Sequence, residues 1–275
     1  MRRMLILLLL ATIVSADFLI ERVDVMISDI QGDGAAKVHE SIKFIMLGDY
    51  STSIYDSGVS NNALSFWSTN TGLKDVKFHI NTAKADVRDL RLRPQPRTKC
   101  NPIQGICHGE LILDYWAYPT FSNDTGDSTP VPGTGLFTVD KYKPRTKRFT
   151  INPQTLSFTA TPEGNVILDK NVFLTVKPPS GSVLLDLNPK PEDLQLELPA
   201  HADLLSWTDI VLVKFSLVFD VEEGIDKEVS DFFGSILTGI SGTLSGPQGL
   251  PLAALVAVLA GSFLYITMAK RRGEG

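Results

Sequence analysis

Two cysteines close together in the sequence are the residues best suited to form a covalent link in this chain. Cys100 and Cys107 flank Pro102 and Gly105, residue types that favour a turn. In an exported domain such a pair predicts a disulfide bond, which on the chain-entropy model adds about 2–3 kcal/mol of stability. A zinc site would need two more ligands. His108 is adjacent, but there is no matching second pair, so we expect no metal.

A polar segment at residues 122–133 carries two short motifs. Asn123-Asp124-Thr125 is an acceptor sequence for N-glycosylation, which makes Asn123 a candidate glycosylation site in an exported domain. Asp124-Thr125-Gly126 matches the core of the aspartic-protease motif. Polar residues precede it where that class of enzyme has apolar ones, and the chain holds no second copy. We therefore favour an exposed loop over a protease site.

Charged and aromatic residues provide two candidate contact surfaces. Residues 86–97 contain four arginines and end in a proline-rich stretch. They predict either an edge strand kept from pairing by charge and proline, or a contact surface for an acidic partner or headgroup. Trp116, with Tyr115 and Tyr118 nearby, either packs in the core or forms an aromatic platform for carbohydrate.

No motif in the sequence assigns a catalytic residue or a cofactor site. The chain lacks a Gly-x-Ser-x-Gly elbow, a phosphate loop, a dinucleotide fingerprint and a His-Glu-x-x-His zinc motif. Four histidines are present, His39, His79, His108 and His201, and the first two fall in segments that alternate like strands. A Ser-His-Asp site built from distant residues stays open. We expect no catalytic, cofactor or metal site.

Both ends of the chain are apolar, and each has the pattern of a membrane-targeting segment. Residues 1–16 combine two early arginines, an apolar run and small residues before position 17, which predicts a cleaved signal peptide; an uncleaved anchor is the alternative. Residues 250–269 are uncharged and long enough to cross a bilayer as a helix. Cations directly after a span stay cytoplasmic, so residues 17–249 are predicted to lie outside. Those cations are Lys270, Arg271 and Arg272.

Two features near the C-terminus concern how the predicted span meets its surroundings. Residues 224–246 place apolar side chains at three- and four-residue spacing, which predicts an amphipathic helix lying on the membrane or packed on the ectodomain. Ala253, Ala257 and Gly261 recur every four residues, a spacing that lets two membrane helices approach closely.

The region between the apolar ends is predicted to be all β. Apolar and polar residues alternate in many short segments separated by glycine and proline, which favours a β-sandwich, either one large or two tandem. Residues 18–30 and 36–44 predict a hairpin around a glycine-containing turn, and residues 64–68, 75–81 and 209–221 predict further strands, the last buried on both faces. In the tandem alternative, residues 17–118 form the first lobe, 119–136 a loop or linker, and 137–223 the second lobe. The formal net charge of −5 argues against nucleic-acid binding.

These features predict a single-pass cell-surface protein whose β-rich ectodomain binds a protein partner or serves as an accessory subunit of an envelope complex. The lipid bilayer is the other expected partner. Two alternatives come from different classes: a membrane-anchored hydrolase acting on protein or glycan, and a structural envelope component. The hydrolase alternative requires paired carboxylates in a cleft, at least one with a perturbed pKa.

Overall fold

The computed structural model describes residues 17–122, 129–143, 145–191 and 197–222. These residues are mostly in strands, which confirms the β-rich prediction. The helices are α1 Gly48–Gly58, α2 Leu64–Thr71 and a short 3₁₀ helix, Pro153–Thr155. The strands are β1 Asp17–Ser28, β2 Ala36–Leu47, β3 Asp86–Pro94, β4 Thr98–Asn101, β5 Ile106–Tyr118, β6 Phe121–Ser122, β7 Thr129–Pro130, β8 Phe137–Lys143, β9 Thr146–Ile151, β10 Thr159–Ala160, β11 Val166–Val176, β12 Val183–Asn188, β13 Leu205–Leu212 and β14 Ser216–Glu222.

The larger sheet has the strand order β10-β11-β1-β2-β5-β3, with β13 also pairing with β11 and β4 with β5. Strand β5 alternates strictly between buried and partly exposed residues. Along β5, residues such as Leu111 and Leu113 are buried while their neighbours Ile112 and Asp114 are partly exposed. A period of two is what a strand with one buried face requires. The sheet therefore has an inner face on the core and an outer face towards solvent.

The smaller sheet has the order β12-β14-β9-β8. Phe219 on β14 stacks on Phe149 of β9 with ring centroids 5.1 Å apart, and it meets Phe137 of β8 edge-on at 5.8 Å. These rings and the inner-face residues of the larger sheet belong to a single hydrophobic core.

The hairpin of β1 and β2 forms where the sequence places it. The Gln31 N–H donates to the Ala35 carbonyl at 2.7 Å across the turn, and the Ala35 N–H donates to Asp33 Oδ1 at 3.0 Å. Gly34 adopts φ +90°, and a Cβ there would lie 2.4 Å from the Phe137 carbonyl oxygen. Glycine is needed because the turn packs directly on β8.

The strands of the two predicted lobes share one sheet. β11, from the second predicted lobe, pairs in parallel with β1, from the first, with Val25 opposite Leu174. The described residues from 17 to 222 also fall into one compact unit. The division into two lobes at 119–136 therefore does not match the sheet: the parallel pairing satisfies backbone N–H and C=O groups that each lobe alone would leave unpaired at a strand edge, and the alternative of one large fold agrees with it.

Three strand predictions differ from the structure. Residues 64–68, predicted as a strand, lie in α2, where Trp67 is buried against Tyr55 of α1. Residues 75–81 are irregular apart from a bridge between Ile80 and Leu156. The long central strand predicted at 209–221 is two strands, β13 and β14, because the chain turns at Lys214, which has φ 50°.

Several predictions concern residues outside the described part. These are the signal peptide at 1–16, Asn123, the amphipathic helix at 224–246 and the span at 250–269, together with Ala253, Ala257, Gly261, Lys270, Arg271 and Arg272. Within the described ranges, none of the helices has the length and hydropathy that crossing a membrane demands.

Candidate functional site

A β-bulge turns the arginines of β3 towards the outer face of the larger sheet. The register shifts between Arg88 and Arg91, so that Arg88 lies opposite Trp116 and Arg91 opposite Asp114. The extra residue is accommodated at Asp89, which has φ 56°. Aspartate tolerates this left-handed conformation better than most residues do, and bulges often re-aim side chains in this way.

The bulge keeps successive arginines on one face. Arg93, opposite Ile112, also lies on the outer side, whereas Leu92 between them faces inwards and is buried. The outer arginines and neighbouring strands line an open cleft of about 440 Å³. Its lining holds three cations and two carboxylates beside two aromatic residues: Lys37, Arg91, Arg93, Asp89, Asp114, Tyr115 and Trp116.

Asp114 is the one of the two lining carboxylates that is bound by neighbouring side chains. It accepts hydrogen bonds from Arg93 through Oδ2 and pairs with His39 Nδ1 through Oδ1 at 2.7 Å. Partial burial acts to raise the pKa of Asp114, but the hydrogen bonds and charges of His39 and Arg93 outweigh it and lower the pKa below its ordinary value. Asp114 is therefore a fixed anion that holds two cationic or dipolar partners in place.

Two other cations of the cleft, Arg91 and Lys37, are not bound by Asp114. Arg91 is exposed and forms no ion pair with any residue that the structure describes. The Lys37 ammonium lies 3.9 Å from a carboxylate oxygen of Asp29, in a pair in which both side chains are exposed. Exposed pairs at this distance contribute little and are easily replaced. With Asp114 held by Arg93 and His39, the cleft presents Arg91 and Lys37 to solvent, beside one exposed carboxylate, that of Asp89.

Two of the three aromatic residues considered for a platform lie on one surface, and the third does not. Trp116 and Tyr118 lie on the outer face with ring centroids 6.1 Å apart, and the Arg88 guanidinium sits 4.9 Å from the Tyr118 ring centroid. Tyr115 faces the core instead and is buried. The reason is alternation: neighbouring residues on a strand point to opposite faces, so all three rings cannot share one surface.

A second cluster of titratable groups lies inside the core. Glu40 is completely buried and accepts hydrogen bonds from the Tyr115 hydroxyl and from the His79 backbone N–H, the latter at 3.0 Å. His79 Nδ1 lies 2.8 Å from the other carboxylate oxygen. No local sequence pattern predicts this cluster, because Tyr115 lies 75 residues and His79 lies 39 residues from Glu40 in the chain.

The Glu40 cluster contains the carboxylate and the imidazole of a catalytic triad but no nucleophile. In a triad, the second imidazole nitrogen would activate a hydroxyl or thiol. Here His79 Nε2 is buried with no hydrogen-bond partner in the described part of the chain, and its ring packs on Phe158 with centroids 5.2 Å apart. The cluster is closed to solvent and acts as an internal tie between β2, β5 and the segment at residues 72–85.

The predicted disulfide is confirmed. Cys100 and Cys107 are bonded, and they lie in the hairpin in which β4 pairs with β5. His108, next to the bridge, points to the outer face, where its Nδ1 lies 2.8 Å from a carboxylate oxygen of Glu21. No group of three metal-ligating side chains occurs among the residues described.

Comparison with known proteins does not assign this chain to a family. No protein-family model and no curated protein matches the sequence. Similar solved structures include yeast leukotriene A4 hydrolase in complex with bestatin, at TM-score 0.31 and 8% identity over 75% of this chain and 29% of that chain. Another is native leukotriene A4 hydrolase from Saccharomyces cerevisiae, at TM-score 0.29 and 10% identity over 74% and 29%. The chain spans less than a third of the length of these proteins. Likeness at this level carries no conclusion about activity.

Proposed function

We propose that this protein is a membrane-anchored cell-surface protein whose non-catalytic β-sandwich ectodomain binds an acidic segment of a protein partner. The cleft on the outer face of the larger sheet is the binding site, and the partner belongs to the membrane or envelope. Residues 250–269 provide the single span, with the ectodomain outside and Lys270, Arg271 and Arg272 in the cytoplasm.

The observation that carries this proposal is that Arg91, in the cleft, is exposed and forms no ion pair with any described residue. Asp114, the nearest carboxylate across the strand pair, is already held by Arg93 and His39. The guanidinium of Arg91 is therefore available for a carboxylate from another chain, and its planar donor set favours two parallel hydrogen bonds. Lys37 and Trp116 beside it add a second charge and an aromatic contact.

Binding fits the cleft better than hydrolysis does. A general base works best when its pKa lies near the pH at which the enzyme operates. The pKa of Asp114 is lowered instead, so this carboxylate holds protons poorly. Of the other two carboxylate–imidazole pairs described above, Glu40 and His79 are shut away from any substrate by burial, and Glu21 and His108 lie outside this cleft.

The experiment is a gentle-detergent purification of the full-length tagged protein from its native membrane, followed by mass spectrometry. We compare the wild type with Arg91→Glu and with a matched control, Lys74→Glu. Lys74 is exposed in the segment after α2, which packs on the inner side of the sheet. The expected result is one stoichiometric partner, lost in Arg91→Glu and kept in Lys74→Glu.

Two results would contradict the proposal. Recovery of the partner with Arg91→Glu would place binding elsewhere, and purification of a bare monomer or homo-oligomer would remove the accessory-subunit function. Salt dependence provides an independent measure, because a charge-driven complex weakens as ionic strength rises.

A further inference from the structure

A second basic surface lies on the smaller sheet. The hairpin of β8 and β9 has the sequence Lys141-Tyr142-Lys143-Pro144-Arg145-Thr146-Lys147-Arg148, with no acidic residue in it. We call its cations the basic hairpin; they are Lys141, Lys143, Arg145, Lys147 and Arg148.

The carboxylates near the basic hairpin neutralise only part of its charge. Arg148 is held by Asp220 through two hydrogen bonds of 2.8 and 2.9 Å. Asp140, on β8, and Glu222, at the end of β14, are the other carboxylates on these strands near this end. Lys141 and Lys143 are exposed, and neither forms an ion pair with a residue in the described ranges.

An aromatic ring is exposed among these cations. Tyr142 is about half exposed, and its ring lies 3.8 Å from the Arg148 guanidinium carbon and 5.3 Å from the Lys143 ammonium nitrogen. Tyrosine with lysine and arginine is the combination that membrane–water interfaces favour, because the ring is amphipathic and the long cationic side chains reach the headgroups.

The basic hairpin also borders an amphipathic cleft of about 460 Å³. Lys141 and Lys147 line it together with one carboxylate, Asp33, and Pro119, Val131 and Pro132 provide apolar lining. An anionic lipid has matching chemistry, with a phosphate next to an apolar chain. A free anion would use the lysines but not the apolar lining.

The strand register places the hairpin end beside the point where the chain leaves the domain. Lys143 is opposite Thr146, and Thr146 is opposite Glu222, the last described residue. The sequence after Glu222 leads to the apolar segment at 250–269. A domain tethered through Glu222 would therefore carry the basic hairpin at its tethered end.

We propose that the basic hairpin binds anionic lipid headgroups next to the membrane anchor. This inference rests on the membrane anchorage in the proposed function. Each lysine or arginine close to an anionic surface strengthens attachment about fivefold. Several such residues would hold the tethered domain against the bilayer in one orientation.

The test is lysine footprinting of the full-length chain in lipid nanodiscs. One set contains phosphatidylcholine alone, and the other adds phosphatidylglycerol. An uncharged acetylating reagent is used, and the extent of modification at each lysine is read by mass spectrometry. We expect Lys141 and Lys143 to react several-fold more slowly in the anionic discs, relative to exposed Lys74 and Lys170, and to recover at high salt.

Two variants sharpen the test. Arg145→Glu should abolish the protection of Lys141 and Lys143, whereas Arg91→Glu, the same substitution in the other basic surface, should leave it intact. If Lys141 and Lys143 react equally in the two kinds of disc, the proposal is overturned, whether both discs leave them reactive or both protect them. Protection that appears only after an acidic protein is added would also overturn it.

The two proposals fail in distinguishable ways. If the full-length chain does not co-float with lipid in a density gradient, membrane anchorage itself is wrong. If it co-floats while Lys141 and Lys143 stay reactive in anionic discs, anchorage stands and only headgroup binding by the basic hairpin is wrong.

Discussion

Tyr115 donates a hydrogen bond to Glu40 inside the core, although the two residues are 75 positions apart in the chain. Both side chains are buried, and Glu40 has His79 as its other neighbour. A buried carboxylate is tolerated only when its oxygens are hydrogen-bonded. This pair therefore ties β2 to β5 through a contact whose loss is costly.

Removing the Tyr115 hydroxyl should destabilise the fold without changing its shape. In Tyr115→Phe, Glu40 Oε1 keeps the His79 N–H but loses its hydroxyl donor, a loss of about 1–3 kcal/mol in the free energy of unfolding. Urea denaturation of the full-length protein in detergent, followed by tryptophan fluorescence, measures it. Tyr50→Phe is the control, since Tyr50 is half exposed. Equal midpoints for the two variants would contradict the prediction.

The same tyrosine should make stability depend on alkaline pH. Burial, and secondarily the charge of Glu40, raises the pKa of Tyr115 well above its ordinary value. Above about pH 10, the unfolded chain releases the phenolic proton while the folded one retains it, so the free energy of unfolding falls as the pH rises. Below that pH the contribution is complete.

Tyr115→Phe should therefore show a shallower loss of stability than the wild type between about pH 9 and 11. Part of the pH dependence of the unfolding free energy should remain in Tyr115→Phe, because burial also raises the pKa of Tyr55. The unfolding free energy measured at several pH values tests this. Parallel curves for the wild type and Tyr115→Phe would show that Tyr115 is not responsible.

Reduction of the Cys100–Cys107 bond should lower stability by about 2–3 kcal/mol on the chain-entropy model for a bridge between residues 7 apart. Urea denaturation with and without reductant measures the change, and intact mass under non-reducing conditions verifies the bond. The double variant Cys100→Ser with Cys107→Ser should have the urea midpoint of the reduced protein, and reductant should not change it. An unchanged midpoint on reduction would contradict the prediction.

Gly109→Ala should destabilise the docking of α1 on the larger sheet. A Cβ at Gly109 would lie 2.7 Å from a ring carbon of Tyr55 and 2.8 Å from one of Phe44. Neither ring can move freely in the core, so we expect a loss of about 1–3 kcal/mol. Gly32→Ala is the matched control, because its close neighbour is the flexible end of Lys147. Thermal unfolding of both variants checks the difference.

Local patterns predicted the parts of the fold that neighbouring residues determine. The β1–β2 hairpin follows from alternation on both sides of a glycine-containing turn, and the disulfide from two cysteines close in sequence. The arginines of residues 86–97 were identified as a possible contact surface. Their arrangement on one face was not, since it depends on a bulge at Asp89 that the alternating pattern does not reveal.

Helix α1 shows why other parts could not be predicted. Its sequence, Gly48–Gly58, has few apolar residues, and among its residues only Ser51, Tyr55 and Gly58 are buried. Its position is set by Tyr55, which packs on Phe44 and donates to the Gln95 carbonyl. Those partners come from other elements, so tertiary contacts override the weak local preference for a helix.

The sequence by itself determined the β-rich class, the first hairpin and the disulfide, because each depends on residues within a few positions of one another. Tertiary structure alone decided the parallel pairing of β1 with β11, the buried Glu40–His79–Tyr115 cluster and the meeting of Arg91 with Lys37 in one cleft. Each of these joins residues dozens of positions apart. No local periodicity encodes such a contact; it arises when the whole chain buries its apolar faces together.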